Sequence, residues 1–356
     1  MKQLLLFLFV FIGFSAFCQK PKKAVNIAAI PIVSYNKSFG AQIGIMTNAY
    51  YNVDKSDTIS PVSVVGVMGS YFMNGTYFAG LFTKNYFNED KWRTNFMYFA
   101  GNVEFQTYIN YPDFIFNYFD LKNDGAFLEY NTKFNYLELA GERQIIKNLF
   151  LGVRMSYSHV VTNFATDLIP EETDKLMGIG FVSEYDSRDY IMNTKSGMNA
   201  KFDTYSFLNA LGSSSQYHRI AMEFNKYFSL TQHALIMARF YSVLSVGDVP
   251  FSGQNIVGRD DLRGYSNGKY RGNQVYNIQS EYRWNFYKRW GMVAFGGVAV
   301  ATENLKGDKY SGLLPAIGTG IRFNAIRSRN INVGMDVAVG KQDWGLYFRI
   351  GEAFSR

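Results

Sequence analysis

Residues 258–284 read GRDDLRGYSNGKYRGNQVYNIQSEYRW, and the change of pattern inside them decides the fold. The first half is too rich in Gly and Asp to form a strand. From Tyr276 onward Tyr276, Ile278, Ser280, Tyr282 and Trp284 alternate with Asn277, Gln279, Glu281 and Arg283, a period of two. A polar loop therefore feeds a strand with one apolar and one charged face. Such a strand suits a wall with lipid outside and polar groups inside. The loop carries Arg259, Arg263, Lys269 and Arg271 toward that polar interior, and a loop so long and cationic needs something to hold it.

The same alternation recurs along the chain. Met177, Ile179 and Phe181 alternate with glycines and run into Asp186-Ser187-Arg188-Asp189, a charged turn that local Asp–Arg pairing would hold. Ile331, Val333, Met335, Val337 and Val339 oppose Asn332, Gly334, Asp336, Ala338 and Gly340. An arginine on a lipid face costs about 2–4 kcal/mol at the bilayer midplane. Parity therefore assigns Arg219, Glu223, Arg239, Glu281, Arg283, Arg322, Asp336 and Arg349 to the lumen. Further strands are expected at 24–35 and 39–51, with Pro31 demanding an edge or a distortion. About four are expected in 61–110, two more at 127–139 and 149–161 around Glu142-Arg143-Gln144, and a surface loop at 162–175. The last four are expected at 291–301, 314–324, 331–339 and 345–354. The aromatic cluster Tyr108–Phe119 reads as an interfacial girdle in preference to a base-stacking platform.

Composition agrees with an all-β transmembrane antiparallel barrel. The 356 residues are 47% hydrophobic and 17% aromatic, with 32 Gly and 7 Pro. Past the amino terminus no run reaches the ~18 apolar residues of a membrane helix; a soluble all-β protein is the competing class. Lys2, the apolar run Leu4–Phe14 and Ala16-Phe17-Cys18 have the regions of a secretory signal peptide over 1–18, leaving a short periplasmic segment at 19–23 and a barrel over 24–356. Lipidation of Cys18 is the rival reading, set against by the bulk of Phe17. The charge of +7 suits lipopolysaccharide or another anionic surface, and export argues against nucleic acid. The 356 residues less 18 allow fourteen or sixteen strands.

Leu262-Arg263-Gly264-Tyr265 resembles the VRGF/Y signature on the sixth extracellular loop of the BamA/TamA superfamily of outer-membrane barrels, the bacterial surface antigens. Arg271-Gly272-Asn273, Glu281-Tyr282-Arg283, Gly247-Asp248-Val249-Pro250-Phe251 and the Asp186, Arg188, Asp189 turn extend the match in order. The resemblance implies sixteen strands and a loop folded into the lumen with Arg263 pinned by acidic and aromatic wall groups and Tyr265 beside it; the POTRA modules that inserting or translocating members carry ahead of the barrel are expected to be absent, because 19–23 is too short for one. The family's F-x-D wall motif falls on Phe295-Gly296-Gly297, without the aspartate, so Glu281 or Asp336 is expected to substitute, near Arg283. Phe348 and Phe354 resemble the aromatic carboxy-terminal assembly signal, although Ser355 and Arg356 follow.

The role so implied is outer-membrane protein or lipid assembly or transport, with outer-membrane lipids, lipopolysaccharide and the assembly machinery as partners. Self-association is left open. A passive or selective pore and a structural surface antigen are the alternatives. No catalytic, cofactor or metal site is expected: His159, His218 and His233 have no ligand spacing, and neither G-x-S-x-G nor H-E-x-x-H occurs. Asp260-Asp261 reads as pairing with Arg259 in preference to holding a cation.

Overall fold

A computed structural model describes residues 25–36, 39–109, 126–167, 169–190, 193–258, 261–265, 268–303, 311–327 and 330–354. The signal-peptide and 19–23 readings, Cys18, the Tyr108–Phe119 side chains, Arg259, Asp260 and Ser355-Arg356 fall outside the described residues.

The strands, in chain order, are β1 (Val25–Asn36), β2 (Gly40–Tyr51), β3 (Ser63–Phe72), β4 (Tyr77–Phe87), β5 (Trp92–Ile109) and β6 (Ala126–Ile146). Then come β7 (Leu149–Phe164), β8 (Glu172–Asp186), β9 (Gly197–Phe207), β10 (Tyr217–Ser229) and β11 (Ala234–Gly247). Two short strands, β12 (Asn255–Val257) and β13 (Tyr270–Gly272), pair only with each other. The chain finishes with β14 (Gln274–Tyr287), β15 (Trp290–Thr302), β16 (Leu314–Ile326), β17 (Ile331–Gly340) and β18 (Asp343–Ile350). All but β12 and β13 form one closed antiparallel barrel of sixteen strands, each beside its chain neighbour, with β18 returning to β1. Closure leaves every strand a partner on both sides, the condition for spanning lipid.

Four boundaries depart from the sequence reading, the first being the loop expected at 162–175, which narrows to 165–171 because β7 runs through Phe164 and β8 begins at Glu172. The stretch 61–110 forms three strands, not four, because β5 runs unbroken for 18 residues. Glu142-Arg143-Gln144 lie inside the 21-residue β6, and the chain reverses at 147–148, where Asn148 takes φ 67. The final strand stops at Ile350: Gly351 at φ 78 redirects the chain, and Phe354 is buried off the strand instead of ending it. The extra length of β5 and β6 stands clear of β4, since Tyr77 already pairs with Asn102 while Phe105 to Ile109 pair only with β6.

The outer face is an apolar band, with Ile43, Ile45, Val67, Val153, Ile278, Ile317 and Ile321 among its most exposed side chains. Trp92, Trp284, Phe286, Tyr287 and Trp290 gather at one end of it, as aromatic girdles do. That end carries the two-residue reversals at 147–148 and 288–289 and both described chain ends, whereas the opposite end carries the 248–273 connection. Short turns face the periplasm in such barrels and long loops face outward. The 248–273 connection is then the sixth extracellular loop.

The seam is the weak part of the wall. β1 pairs with β2 along all 12 of its residues, but with β18 only through Ser34–Tyr347, Tyr35–Leu346 and Asn36–Gly345. Outside the wall, the Tyr35 and Trp344 rings meet across it at 5.3 Å. Pro31 lies in the stretch of β1 that β18 does not cover, which is the edge position a strand proline requires.

Candidate functional site

The sixth loop folds into the barrel and crosses it. β12 and β13 form its base, and Val257, Leu262, Tyr265 and Tyr270 pack with Val243, Val275 and other wall residues in one buried cluster. On the far side of the lumen Arg271 donates to the Tyr130 hydroxyl at 2.8 Å and to the Phe251 carbonyl at 3.0 Å. Its guanidinium stacks on Phe251, 3.8 Å from the ring centre. Ser252 donates to Asp174 at 2.6 Å, and the Asp261 carboxylate accepts from Arg239 at 2.7 Å. The loop is thus fastened to β6, β8 and β11 as well as to the wall from β14 onward.

The Arg263 side chain is fully buried, as are those of the two carboxylates beside it. Both candidate carboxylates reach it. Asp336 accepts at 2.7 Å, Glu281 accepts from the other terminal nitrogen, and the guanidinium lies 3.3 Å from the centre of the Phe295 ring. Parity places these groups: Glu281 on β14, Phe295 on β15 and Asp336 on β17 all face inward. Gly297, at the place of the missing aspartate, leaves room that Gln279 fills. The carboxylates have further partners. Glu281 accepts from Arg283 at 2.7 Å, and Asp336 accepts from Arg322 and, at 3.1 Å, from Arg349. A charged planar fork that donates to two carboxylates at once while stacking on a ring is what guanidinium provides and ammonium does not.

Gly264 and Tyr265 fix the approach of the loop to the wall. Gly264 has φ 108 and its N–H donates to the Tyr347 hydroxyl at 2.9 Å; a Cβ there would stand 2.9 Å from the Val339 carbonyl carbon. Tyr265 donates to the Pro315 carbonyl at 2.6 Å and accepts from the Lys341 N–H at 2.9 Å. Its ring lies over Gly340, where a Cβ would fall 2.6 Å from it.

The chain end joins the same cluster from the periplasmic side. Gly351 donates to the Asn332 carbonyl at 2.8 Å, and Glu352 accepts from Arg322 at 3.0 Å and Asn332 at 2.7 Å. Tyr227 donates to the Phe354 carbonyl at 2.8 Å, and the Phe354 ring lies 5.1 Å from the Arg239 guanidinium and 5.5 Å from that of Arg263. Glu352 was not legible as a member of the site, because strand parity ends at Ile350. Phe348, by contrast, is exposed on the outer face.

The Asp186, Arg188, Asp189 turn lies elsewhere, on the periplasmic connection between β8 and β9. Arg188 donates to both Asp186 oxygens, at 2.8 and 2.7 Å, and Asp189 accepts from the Lys195 N–H at 2.9 Å. The turn is self-contained and does not touch Arg263. A second interior network lies on β6, β7 and β9: Arg154 pairs with Glu138 at 2.7 Å and with Asp203, and Tyr205 donates to Glu138 at 2.9 Å. Among the described residues no group of three His, Cys, Asp or Glu is placed to hold a metal.

An Omp85 superfamily domain profile matches residues 63–354. No curated protein matches the chain. Among solved structures, the chain resembles BamA from Haemophilus ducreyi lacking POTRA domains 1-3, with TM-score 0.60 and 13% identity over 93% of this chain and 71% of that one. CdiB from Acinetobacter baumannii gives TM-score 0.62 at 12% identity over 92% of this chain, and CdiB from Escherichia coli 0.61 at 10% over 93%. The chain spans 60% and 63% of those two proteins.

Proposed function

The chain belongs to the Omp85 superfamily and is an integral bacterial outer-membrane barrel; from that premise we propose that it acts in outer-membrane assembly or transport through its wall at the β1–β18 seam, and not as a passive pore. The observation that carries this reading is the pairing of a crossed lumen with a short seam. The loop anchored at Arg263 and the tail anchored at Glu352 occupy the interior from both ends. Of the sixteen strand contacts in the wall, β1–β18 rests on three residue pairs beside Pro31. A strand edge exposed there is a template for another strand. Leu262, Arg263, Gly264 and Tyr265 serve as the lock of the plug, with Glu281, Arg283, Phe295 and Asp336 as its seat. No step of bond making or breaking enters this reading, and no cofactor. Lipids of the outer membrane surround the barrel, and the assembly machinery acts on the chain before Phe354 is enclosed.

Two measurements test it. In planar bilayers the intact protein is expected to be nearly silent, and deletion of residues 258–272 to raise conductance; large steady openings of the intact barrel would favour the pore. In liposomes, a Tyr35→Cys/Leu346→Cys pair, opposed across the seam, should block insertion of a barrel client when oxidised and restore it when reduced. Insertion unaffected by the oxidised lock would remove the seam from the mechanism.

A further inference from the structure

Several interior arginines of this barrel are matched to carboxylates, Arg93 to Asp90, Arg154 to Glu138, Arg239 to Glu223 and Arg263 to Asp336, and Arg271 is held by the Tyr130 hydroxyl and the Phe251 carbonyl. The periplasmic mouth is different. The β8–β9, β10–β11, β14–β15 and β16–β17 connections enclose a recess of about 830 Å³ lined by Lys195, His233, Lys288, Arg289 and Arg327, and no carboxylate is among its described lining residues. These four lysines and arginines are exposed and make no ion pair among the described residues. Beneath the recess, sharing much of its lining, a cavity of about 30 Å³ is bordered by Arg283. The Nε of Arg283 is engaged by Glu281 at 2.7 Å, but Nη1 and Nη2 are buried without a protein partner. The Glu352 carboxylate, also at that cavity, is already taken by Arg322 and Asn332. Like charges so gathered, over a buried guanidinium fork with two unused donors, define a site for an external anion.

The position of the recess narrows the anion. Lys288 lies 5.0 Å from the centre of the Tyr287 ring and Arg289 5.9 Å from that of Phe323, which itself packs on Trp290 at 4.9 Å. Tyr and Trp of a girdle sit at headgroup depth, and long basic side chains beside them reach the phosphate layer. We propose that the periplasmic mouth binds the phosphate of an anionic phospholipid headgroup from the inner leaflet, held among Lys195, Lys288, Arg289 and Arg327. The site adjoins the seat of the plug through Arg283, and among the described residues none of the four cations is hydrogen-bonded or ion-paired to the sixth loop.

The test uses the full chain in neutral detergent, offered phosphatidylglycerol or phosphatidylcholine with the same acyl chains, with retained lipid counted by native mass spectrometry. Retention of one phosphatidylglycerol in clear preference to phosphatidylcholine is expected. The Lys288→Ser/Arg289→Ser/Arg327→Ser variant should lose that retention by about tenfold or more. The control Lys55→Ser/Lys147→Ser, on other turns of the same rim, should keep it, and heat-modifiable mobility shows that each variant is folded. Equal retention of the two lipids, or equal loss in variant and control, would overturn the site. Displacement of the lipid by inorganic phosphate at matching concentration would overturn the headgroup as its source.

Discussion

Replacing Arg263 by Ala removes one member of a counted cluster. Arg263, Arg283, Arg322 and Arg349 supply four positive charges, and Glu281, Asp336 and Glu352 supply three negative ones. After Arg263→Ala the count is three against three, and each carboxylate keeps another arginine. Breaking a buried pair costs roughly 3–5 kcal/mol, and the residual pairing argues for the lower end, about 3 kcal/mol. At about 1.4 kcal/mol per tenfold, the released-loop population rises about a hundredfold. An exposed arginine contributes about 0–1 kcal/mol, fivefold at most. The rate of limited proteolysis beside Tyr265 reads this population when opening is fast relative to cleavage. Glu281→Gln leaves four positive charges against two negative ones and should cost more, toward 5 kcal/mol. The double variant should fall short of the sum by about 0.5–3 kcal/mol, because the two groups touch. Additive effects, or cleavage rates within a few-fold of wild type for both single variants, would refute the buried lock.

Lysine at 263 keeps the charge but loses the fork and the stacking on Phe295, so Arg263→Lys should lie between wild type and Arg263→Ala in the same assay. Gly264→Ala should loosen the loop by about 1–3 kcal/mol, since φ 108 and the Val339 backbone both oppose a Cβ; unchanged proteolysis would show that the backbone there relaxes freely. Arg154→Ala strips Glu138 and Asp203 of their shared partner and should destabilise the barrel by about 3–5 kcal/mol, seen as a lower midpoint for loss of heat-modifiable mobility in urea. Phe354→Ala should leave the wall closed yet raise proteolysis at the carboxy end, whereas removal of 345–356 should abolish heat-modifiable mobility.

Alternation in the sequence settled which face of each strand meets lipid, because a misplaced arginine is too costly to tolerate. It therefore assigned Glu281, Arg283, Arg322 and Asp336 to the interior with no knowledge of their neighbours, and resemblance in the Leu262–Tyr265 motif directed attention to Arg263. What periodicity does not contain is length: an alternating run gives no sign of where it must stop, so 61–110 reads as about four strands where three form, and the strand read over 127–139 extends to Ile146. Nor does it say which inward groups meet. Glu281 and Asp336 both seat Arg263 because curvature of the wall brings β14 and β17 to one loop, a relation between residues 55 positions apart. The chain end shows the limit most clearly. Through Arg349 β18 obeys the two-sided rule of a strand; one left-handed glycine at 351 then ends the rule, and Glu352 and Phe354 enter the lumen, where Glu352 accepts from Arg322 and the Phe354 ring lies beside Arg239.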